Sequence, residues 1–394
     1  MLEQYSLAMP SAVYSGVGAL ARIKEIAQER FKKAVVFTDK GVEQAGLLTV
    51  PVDYLKESGV QVHVIGNLPA EPSCDEAQAV IDEFRRTGGD LIVAVGGGSV
   101  MDVAKLASVA ASGSPTVREL LEDPGLGKKT VATLMIPTTG GTGSEATMNS
   151  IVAVPEKKLK VGIVNRAMIP DFVILDGSLT KNLPKKIAAS TGIDAMAHAV
   201  ECFTSNKANP FSNLFAKEAA RLIFGNIEAA CEDSKALEAK TNMLIGAFYA
   251  GVAISSSGTT AVHALSYPLG GTYHIPHGVS NAMLLLPVMR FNKPACVKEL
   301  AELYDAVAEP GDARETTIVQ TEAALGQKAD KLLERMEGII RRLGIPSSLS
   351  EFGVGKEDLE DLVAAGLDVK RLLNNNRREI SYEDARNLYL EVIG

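Results

Sequence analysis

The chain carries five histidines in 394 residues, and three of them fall in one stretch, His263–His277, which reads HALSYPLGGTYHIPH. Imidazole is a proton carrier near neutral pH and a common ligand for transition metals, so the concentration invites a chemical reading. By itself the stretch is equally a buried helix–loop–helix in which histidines happen to cluster. A second stretch, Thr191–Phe203 (TGIDAMAHAVECF), sets Asp194 and His198 four residues apart. On a helix that spacing projects both side chains from one face, where they can meet one cation or simply hydrogen-bond at a surface. Together the two stretches supply one carboxylate, Asp194, and three imidazoles, His198, His263 and His277. Such a donor set suits a borderline divalent metal, Fe²⁺ or Zn²⁺, and is too rich in nitrogen for Mg²⁺ or Ca²⁺.

Two further stretches have the composition of phosphate-holding loops. Gly96-Gly97-Gly98-Ser99 follows the apolar run Asp90–Val95 and precedes a helical pattern, VMDVAKLASVA. The hydroxyl-rich run Pro137–Ser144 (PTTGGTGS) follows Val131–Ile136. Glycine lets a backbone approach an anion closely, and a helix N-terminus offers unpaired N–H groups and a favourable dipole. One such loop reads as a tight strand-to-helix turn; two at successive strand ends point to a cradle for a pyrophosphate. Neither G-x-G-x-x-G nor G-x-x-x-x-G-K-[ST] occurs, so neither a standard Rossmann first turn nor a P-loop is indicated. Asp39, closing the run Ala34–Thr38, has two readings. It is an acid that accepts hydrogen bonds from an adenosine ribose and repels a 2′-phosphate, favouring NAD over NADP, or it is a helix N-cap ahead of Gly41.

The elements that must position these residues fall into two kinds. Through the first half, short β-branched runs (Ala34–Thr38, Gln61–Ile65, Asp90–Val95, Val131–Ile136) alternate with helical patterns such as Asp75–Arg86, as βαβ units on a parallel sheet do. Residues 147–164 read as a hairpin turning at Pro155–Lys158, with Lys160 on the return strand, and Phe172–Leu175 as a last buried strand. Beyond Ser178 helical spacing takes over, in Lys185–Phe203, Phe211–Glu232, Ala236–Ile254, Gly278–Phe291, Ala329–Leu343 and Tyr382–Val392. The prolines and glycines of His263–His277 (Pro268, Gly270, Gly271, Pro276) predict a broken helix there. The expected architecture is therefore an α/β dinucleotide-binding domain over residues 1–178, with a Rossmann-like parallel sheet, followed by an all-helical, metal-binding domain over residues 179–394. A hydrophobic fraction of 46% supplies core for both. The net charge of −8 and the lack of a long basic run favour a small molecule over nucleic acid or an anionic membrane as partner. No apolar run reaches membrane-span length and the N-terminus lacks signal-peptide character, which predicts a cytoplasmic protein. Four scattered cysteines without a C-x-x-C pair read as reduced structural thiols.

At this point the motifs GGGSVMDVAK (Gly96–Lys105), IPTTGGTGSEAT (Ile136–Thr147), GIDAMAHAVE (Gly192–Glu201) and the stretch His263–Asn281 ending PHGVSNA can be taken together. With GVGALARI near the N-terminus and LGIPSSL and LLNNNRREIS near the C-terminus, the chain resembles, essentially end to end, the iron-containing or group III alcohol dehydrogenases. The resemblance implies a cleft between a dinucleotide-binding domain and an all-helical domain, as in the dehydroquinate synthase-like architecture, holding NAD(P) and one divalent metal. It implies Asp194, His198, His263 and His277 as metal ligands and Asp39 as the ribose-binding acid. Gly97, Gly98 and Ser99 match pyrophosphate contacts, Thr138, Thr139 and Thr142 nucleotide contacts, and Lys160 a contact to the nicotinamide ribose. The reaction implied is hydride transfer between a small alcohol and NAD, with Fe²⁺ (or Zn²⁺) as Lewis acid, in a homodimer. One position departs: where several members carry a proton-relaying histidine four residues after the third ligand, this chain has Tyr267. His274 is the alternative relay, and equally a loop histidine with no role. Glycerol dehydrogenase-like chemistry and a dehydroquinate synthase-like lyase are the competing readings. The second expects several Lys or Arg side chains around the metal, whereas DAMAHAVECF and ISSSGTTAVHALSYPLGG are almost uncharged.

Overall fold

The computed structural model describes residues 4–157, 159–308 and 321–394. Six parallel strands form one sheet in the order β1 (Ala12–Ser15), β8 (Phe172–Leu175), β5 (Ala132–Pro137), β4 (Leu91–Gly96), β2 (Lys33–Phe37), β3 (Gln61–Ile65). The sequence pattern explains the placing. Leu91–Gly96 is buried along its whole length, as a strand covered on both faces must be, while Gln61–Ile65 exposes Gln61, His63 and Val64 and lies at an edge. β1 was not legible as a strand: it is a four-residue edge strand, half-buried and without alternation. The expected hairpin is present as antiparallel β6 (Asn149–Val154) and β7 (Leu159–Val164), with Pro155–Lys157 in its turn; Lys158 lies outside the described residues.

Register does the first piece of positioning. Gly96 on β4 pairs with Pro137 on β5, and the Thr138 N–H donates to the Gly96 carbonyl at 3.0 Å, so the two glycine-rich loops leave the sheet side by side. The chain order reverses between β2 and β4, and the carboxyl ends of strands at such a switch are where open α/β sheets bind ligands. Helix α1 (Gly98–Ala110) starts directly from the first loop.

After the short 3₁₀ turn Gly177–Thr180 the described chain is helical. The site-bearing helices are α2 (Lys185–Thr204), α3 (Ala261–Tyr273) and α4 (His277–Asn292). Around them pack Pro210–Glu232, Leu237–Ser257, Val297–Val307, Glu322–Leu343, Leu359–Asp368 and Tyr382–Ile393. Leu244, Phe248 and Val252 of the second of these join the core on one face of the sheet, so the halves share apolar packing. The break within His263–His277 falls later than its composition suggests. Pro268, Gly270 and Gly271 lie inside α3, where burial from Ala261 to Gly270 outweighs local propensity. The helix ends at His274, whose φ of 54° is left-handed, and Pro276 then caps α4.

The glycines of the second loop have a different reason from close approach to an anion. A Cβ on Gly141 would lie 2.6 Å from Thr191 Cβ, and one on Gly143 (φ +61°) 2.6 Å from the Ala247 carbonyl oxygen. They are there so that the loop can dock on the helical half.

Candidate active site

Asp194 and His198 lie one turn apart on the buried face of α2, as their spacing requires, and α3 and α4 bring His263 and His277 to them. One ligand atom each from Asp194, His263 and His277 lie within 4.8 Å of one another. His198 Nε2 stands 2.9 Å from His263 Nε2 and 3.9 Å from Asp194 Oδ1, with the two rings stacked at 4.5 Å. The structure thus brings together all four residues singled out from sequence.

Two side chains absent from that set organise it. Glu201, completely buried, follows Asp194 by seven residues and His198 by three, on the same helical face. Its Oε2 meets His263 Nδ1 in a short contact, and its Oε1 accepts from Thr260 N (3.0 Å), Thr260 Oγ1 (2.7 Å) and Val262 N (2.9 Å). The Nδ1 proton is held by the carboxylate, which leaves the Nε2 lone pair facing Asp194 and His198. Asn281, four residues after His277, places its Nδ2 at 2.7 Å from Asp194 Oδ1, 3.1 Å from His263 Nε2 and 3.2 Å from His277 Nε2. Both could be found by extending helical spacing from a ligand already chosen, Glu201 at i+3 from His198 and i+7 from Asp194, and Asn281 at i+4 from His277.

Whether these residues suit a cation is decided by counting acceptors. With His263 and His277 neutral and their Nε2 lone pairs turned inward, as metal ligation requires, three acceptor atoms converge on one amide nitrogen that has only two hydrogens to give, while the Asn281 Oδ1 is buried without a partner. The excess of lone pairs over donors is what a metal ion would satisfy. The electrostatics agree. Burial opposes ionisation of Asp194, yet the surrounding imidazoles outweigh it and hold the carboxyl well below its usual range. Burial likewise opposes charge on His263, but Glu201 and Asp194 raise it to about 9, so that without a cation a proton on Nε2 takes the position a cation would displace it from. Desolvation pushes His198 down, and it pushes His277 down to about 3 against the pull of Asp194. The pocket attracts one positive charge and spreads the attraction over several atoms.

This cluster lines one side of a cleft whose opposite side is the α/β half. Gly98, Ser99, Thr142 and Lys160 line it, as does Tyr267, whose ring lies 6.1 Å from that of His277. The loops touch, since a Cβ on Gly98 would fall 2.7 Å from Thr142 Cγ2. Gly97, Thr138 and Thr139 lie at the same strand ends but are not among the lining residues; Gly97 and Thr139 are half-buried and Thr138 is buried. Asp39 caps the helix Lys40–Gln44, its Oδ1 accepting the Val42 N–H at 3.0 Å, so the N-cap is observed. His274 is exposed at the end of α3 and is not among the residues lining the cleft. Tyr267 is 6% exposed, and burial raises its phenol above the ordinary value.

Behind the first loop, the motif's Asp102 and Lys105 form a buried weld. Lys105 Nζ donates to Ser144 O and Thr147 Oγ1 at 3.0 Å each and to Asn149 O, and pairs with Asp102 Oδ1 at 3.0 Å. Asp102 also accepts from Ser144 Oγ and, at 2.8 Å, from Ile151 N.

Residues 10–177 match the family model described as Iron-containing alcohol dehydrogenase, and residues 188–393 that of the Fe-containing alcohol dehydrogenase family, C-terminal. The chain is 33% identical to Long-chain-alcohol dehydrogenase 1 of Geobacillus thermodenitrificans (strain NG80-2), over 97% of this chain and 95% of that protein. It is 30% identical to Lactaldehyde reductase of Escherichia coli (strain K12), over 95% and 94%. The crystal structure of a 1,3-propanediol oxidoreductase superposes with a TM-score of 0.90 at 28% identity, covering 99% of this chain and 100% of that one.

Proposed function

The chain belongs to the iron-containing alcohol dehydrogenase family, and from that premise we propose that it interconverts a small neutral alcohol and its aldehyde or ketone with NAD as the dinucleotide. Fe²⁺ is the metal of this reading, with Zn²⁺ the substitute the donor set also accepts. The observation that carries it is the convergence of Asp194, His263 and His277 on the same cleft that Gly98 and Ser99 line.

When bound, the metal supplies Lewis acidity toward the substrate oxygen and the dinucleotide supplies the hydride acceptor. Asp194, His198, His263 and His277 hold the cation, and Glu201 keeps His263 in the tautomer that can do so. The N–H groups at the start of α1, in Gly97, Gly98 and Ser99, receive the pyrophosphate. Thr138, Thr139 and Thr142 flank the nucleotide, Lys160 reaches the nicotinamide ribose, and Asp39 faces the adenosine ribose with the carboxylate oxygen its cap does not use. Tyr267 and Ile254 shape the substrate end of the cleft and keep water from it. His274 stands outside the cleft lining and exposed to solvent, so a relay through it would run at the protein surface. Lys160 is the only Lys or Arg among the described residues lining the cleft, which supports a neutral substrate over the phosphate- and carboxylate-bearing substrate of a synthase-like lyase. The domain boundary belongs at Ser178, between the last strand and α2. Cytoplasmic location and a homodimer complete the reading. No helix among the described residues is long and apolar enough to cross a membrane, and the exposed Phe211 and Leu214 on one helix favour self-association.

Metal analysis of anaerobically purified protein, followed by a screen of small alcohols and aldehydes that follows NADH absorbance, tests the proposal. Stoichiometric iron or zinc and turnover of a neutral substrate are expected. Fe²⁺-reconstituted protein that turns over none of them would contradict it.

A further inference from the structure

Lys160, the one ammonium among the described residues lining the cleft, is already answered. Lys160 Nζ lies 2.6 Å from Glu71 Oε1, the lysine side chain 8% and the glutamate 33% exposed. The lysine has little freedom to leave, because a Cβ on Gly270 of α3 would fall 2.7 Å from its Nζ. Glu71 is held just as deliberately. Its φ of 52° is left-handed, a costly conformation for a residue with a side chain, and one that a proline at the next position does nothing to favour. The turn is pinned on both sides: the Glu71 N–H donates to Ser99 Oγ at 3.0 Å, and the Pro72 carbonyl accepts from Ala153 N at 2.9 Å. Backbone strain of this kind persists where the surroundings over-determine it, and here it aims a carboxylate at the cleft.

The other two carboxylates that line the cleft are occupied. Asp102 is taken by Lys105, Ser144 and Ile151, and Asp194 by Asn281 and the imidazoles. Glu71 alone meets Lys160, and the pair leaves this part of the cleft without net charge. An unanswered ammonium at that point would attract an aldehyde bearing a carboxylate or sulfonate, and a carboxylate beside it repels one.

We propose that Glu71 is a specificity-determining residue that neutralises Lys160 and so keeps anionic aldehydes out of the cleft. The inference rests on the dehydrogenase reading above and adds a substrate class that this site rejects.

The test compares two four-carbon aldehydes that differ in a terminal carboxylate, butyraldehyde and succinic semialdehyde, in the metal-loaded enzyme with NADH. Glu71→Gln keeps the side chain's length and removes its charge. The ratio of kcat/KM for the anionic over the neutral aldehyde is expected to rise by about tenfold or more in E71Q, and to fall back in E71Q/K160Q. Succinate, which cannot be reduced, should bind E71Q more tightly than wild type by a similar factor in titration calorimetry. Should E71Q fold poorly, Glu71→Asn, a residue that tolerates the left-handed region, replaces it. An unchanged ratio and unchanged succinate affinity, with butyraldehyde turned over by wild type, would overturn the role of Glu71 and leave the dehydrogenase reading standing. Turnover of no aldehyde in the wider screen by wild type would bring down that reading instead, and the calorimetric comparison would then decide the charge exclusion alone.

Discussion

The two sides of the cleft are built on opposite principles of polar satisfaction. On the helical side, acceptors outnumber donors: Asp194, His263 and His277 crowd one amide nitrogen of Asn281, and two imidazole nitrogens face each other at 2.9 Å. On the α/β side, Lys105, Asp102, Ser144 and Thr147 satisfy one another in a closed network, with Glu145 Oε1 beside it as an unpartnered exception. A group of lone pairs left short of hydrogens waits for a cation, whereas a closed network is scaffold. Burial alone does not separate the two, since His263 and Lys105 are both nearly inaccessible.

The comparison can be broken at four points. His263→Ala should have the largest effect, lowering metal affinity by more than the roughly 10–100-fold typical of losing an outer partner, while NADH binding is retained. Metal content after dialysis and NADH fluorescence check it, and loss of NADH binding with metal retained would show that the two sides are not separable. On the scaffold side, Lys105→Met strands Asp102 and should destabilise the fold by about 3–5 kcal/mol in denaturant unfolding, without lowering metal content per folded molecule.

Glu145 tests the scaffold by pH. Burial raises its carboxyl to about 7, and its Oε1 has no hydrogen-bond partner. The folded-state value lies above the unfolded one, so the group's contribution to stability is full below about pH 4.5, declines as pH rises to 7, and is level above that. Relative to Glu145→Gln, wild type should lose on the order of 3 kcal/mol across that window. Parallel pH profiles for the two proteins would place Glu145 in contact with a compensating charge. The smallest effect is expected for Glu201→Gln, which weakens the hold on the His263 tautomer: about 10–100-fold in metal affinity, with unfolding stability little changed. A loss as large as that of His263→Ala would mean that Glu201 does more than orient its neighbour.

Much of this was readable in advance. The central strands are apolar runs bounded by polar residues, proline or glycine, so their ends are legible to within a residue, and Asp194 and His198 share a face because helical geometry dictates it. Glu201 and Asn281 carry the same spacing signal, but their types do not announce a role until a partner is known. The edge strand β1 and the position of the break after Tyr273 were not readable, because in both cases packing overrides weak local preference.

What the sequence determines here is local. The α/β half followed by helices, the two glycine-rich loops and the metal-binding residue types all follow from periods and compositions within a few turns of chain. What only the tertiary structure decides is which polar groups meet. The glycines of the second loop dock on the helical half, Glu201 closes on His263, and Glu71 closes on Lys160. Each depends on contacts between residues far apart in the chain, whose geometry is set by how the helices pack on the sheet and carries no signature in the spacing of either partner.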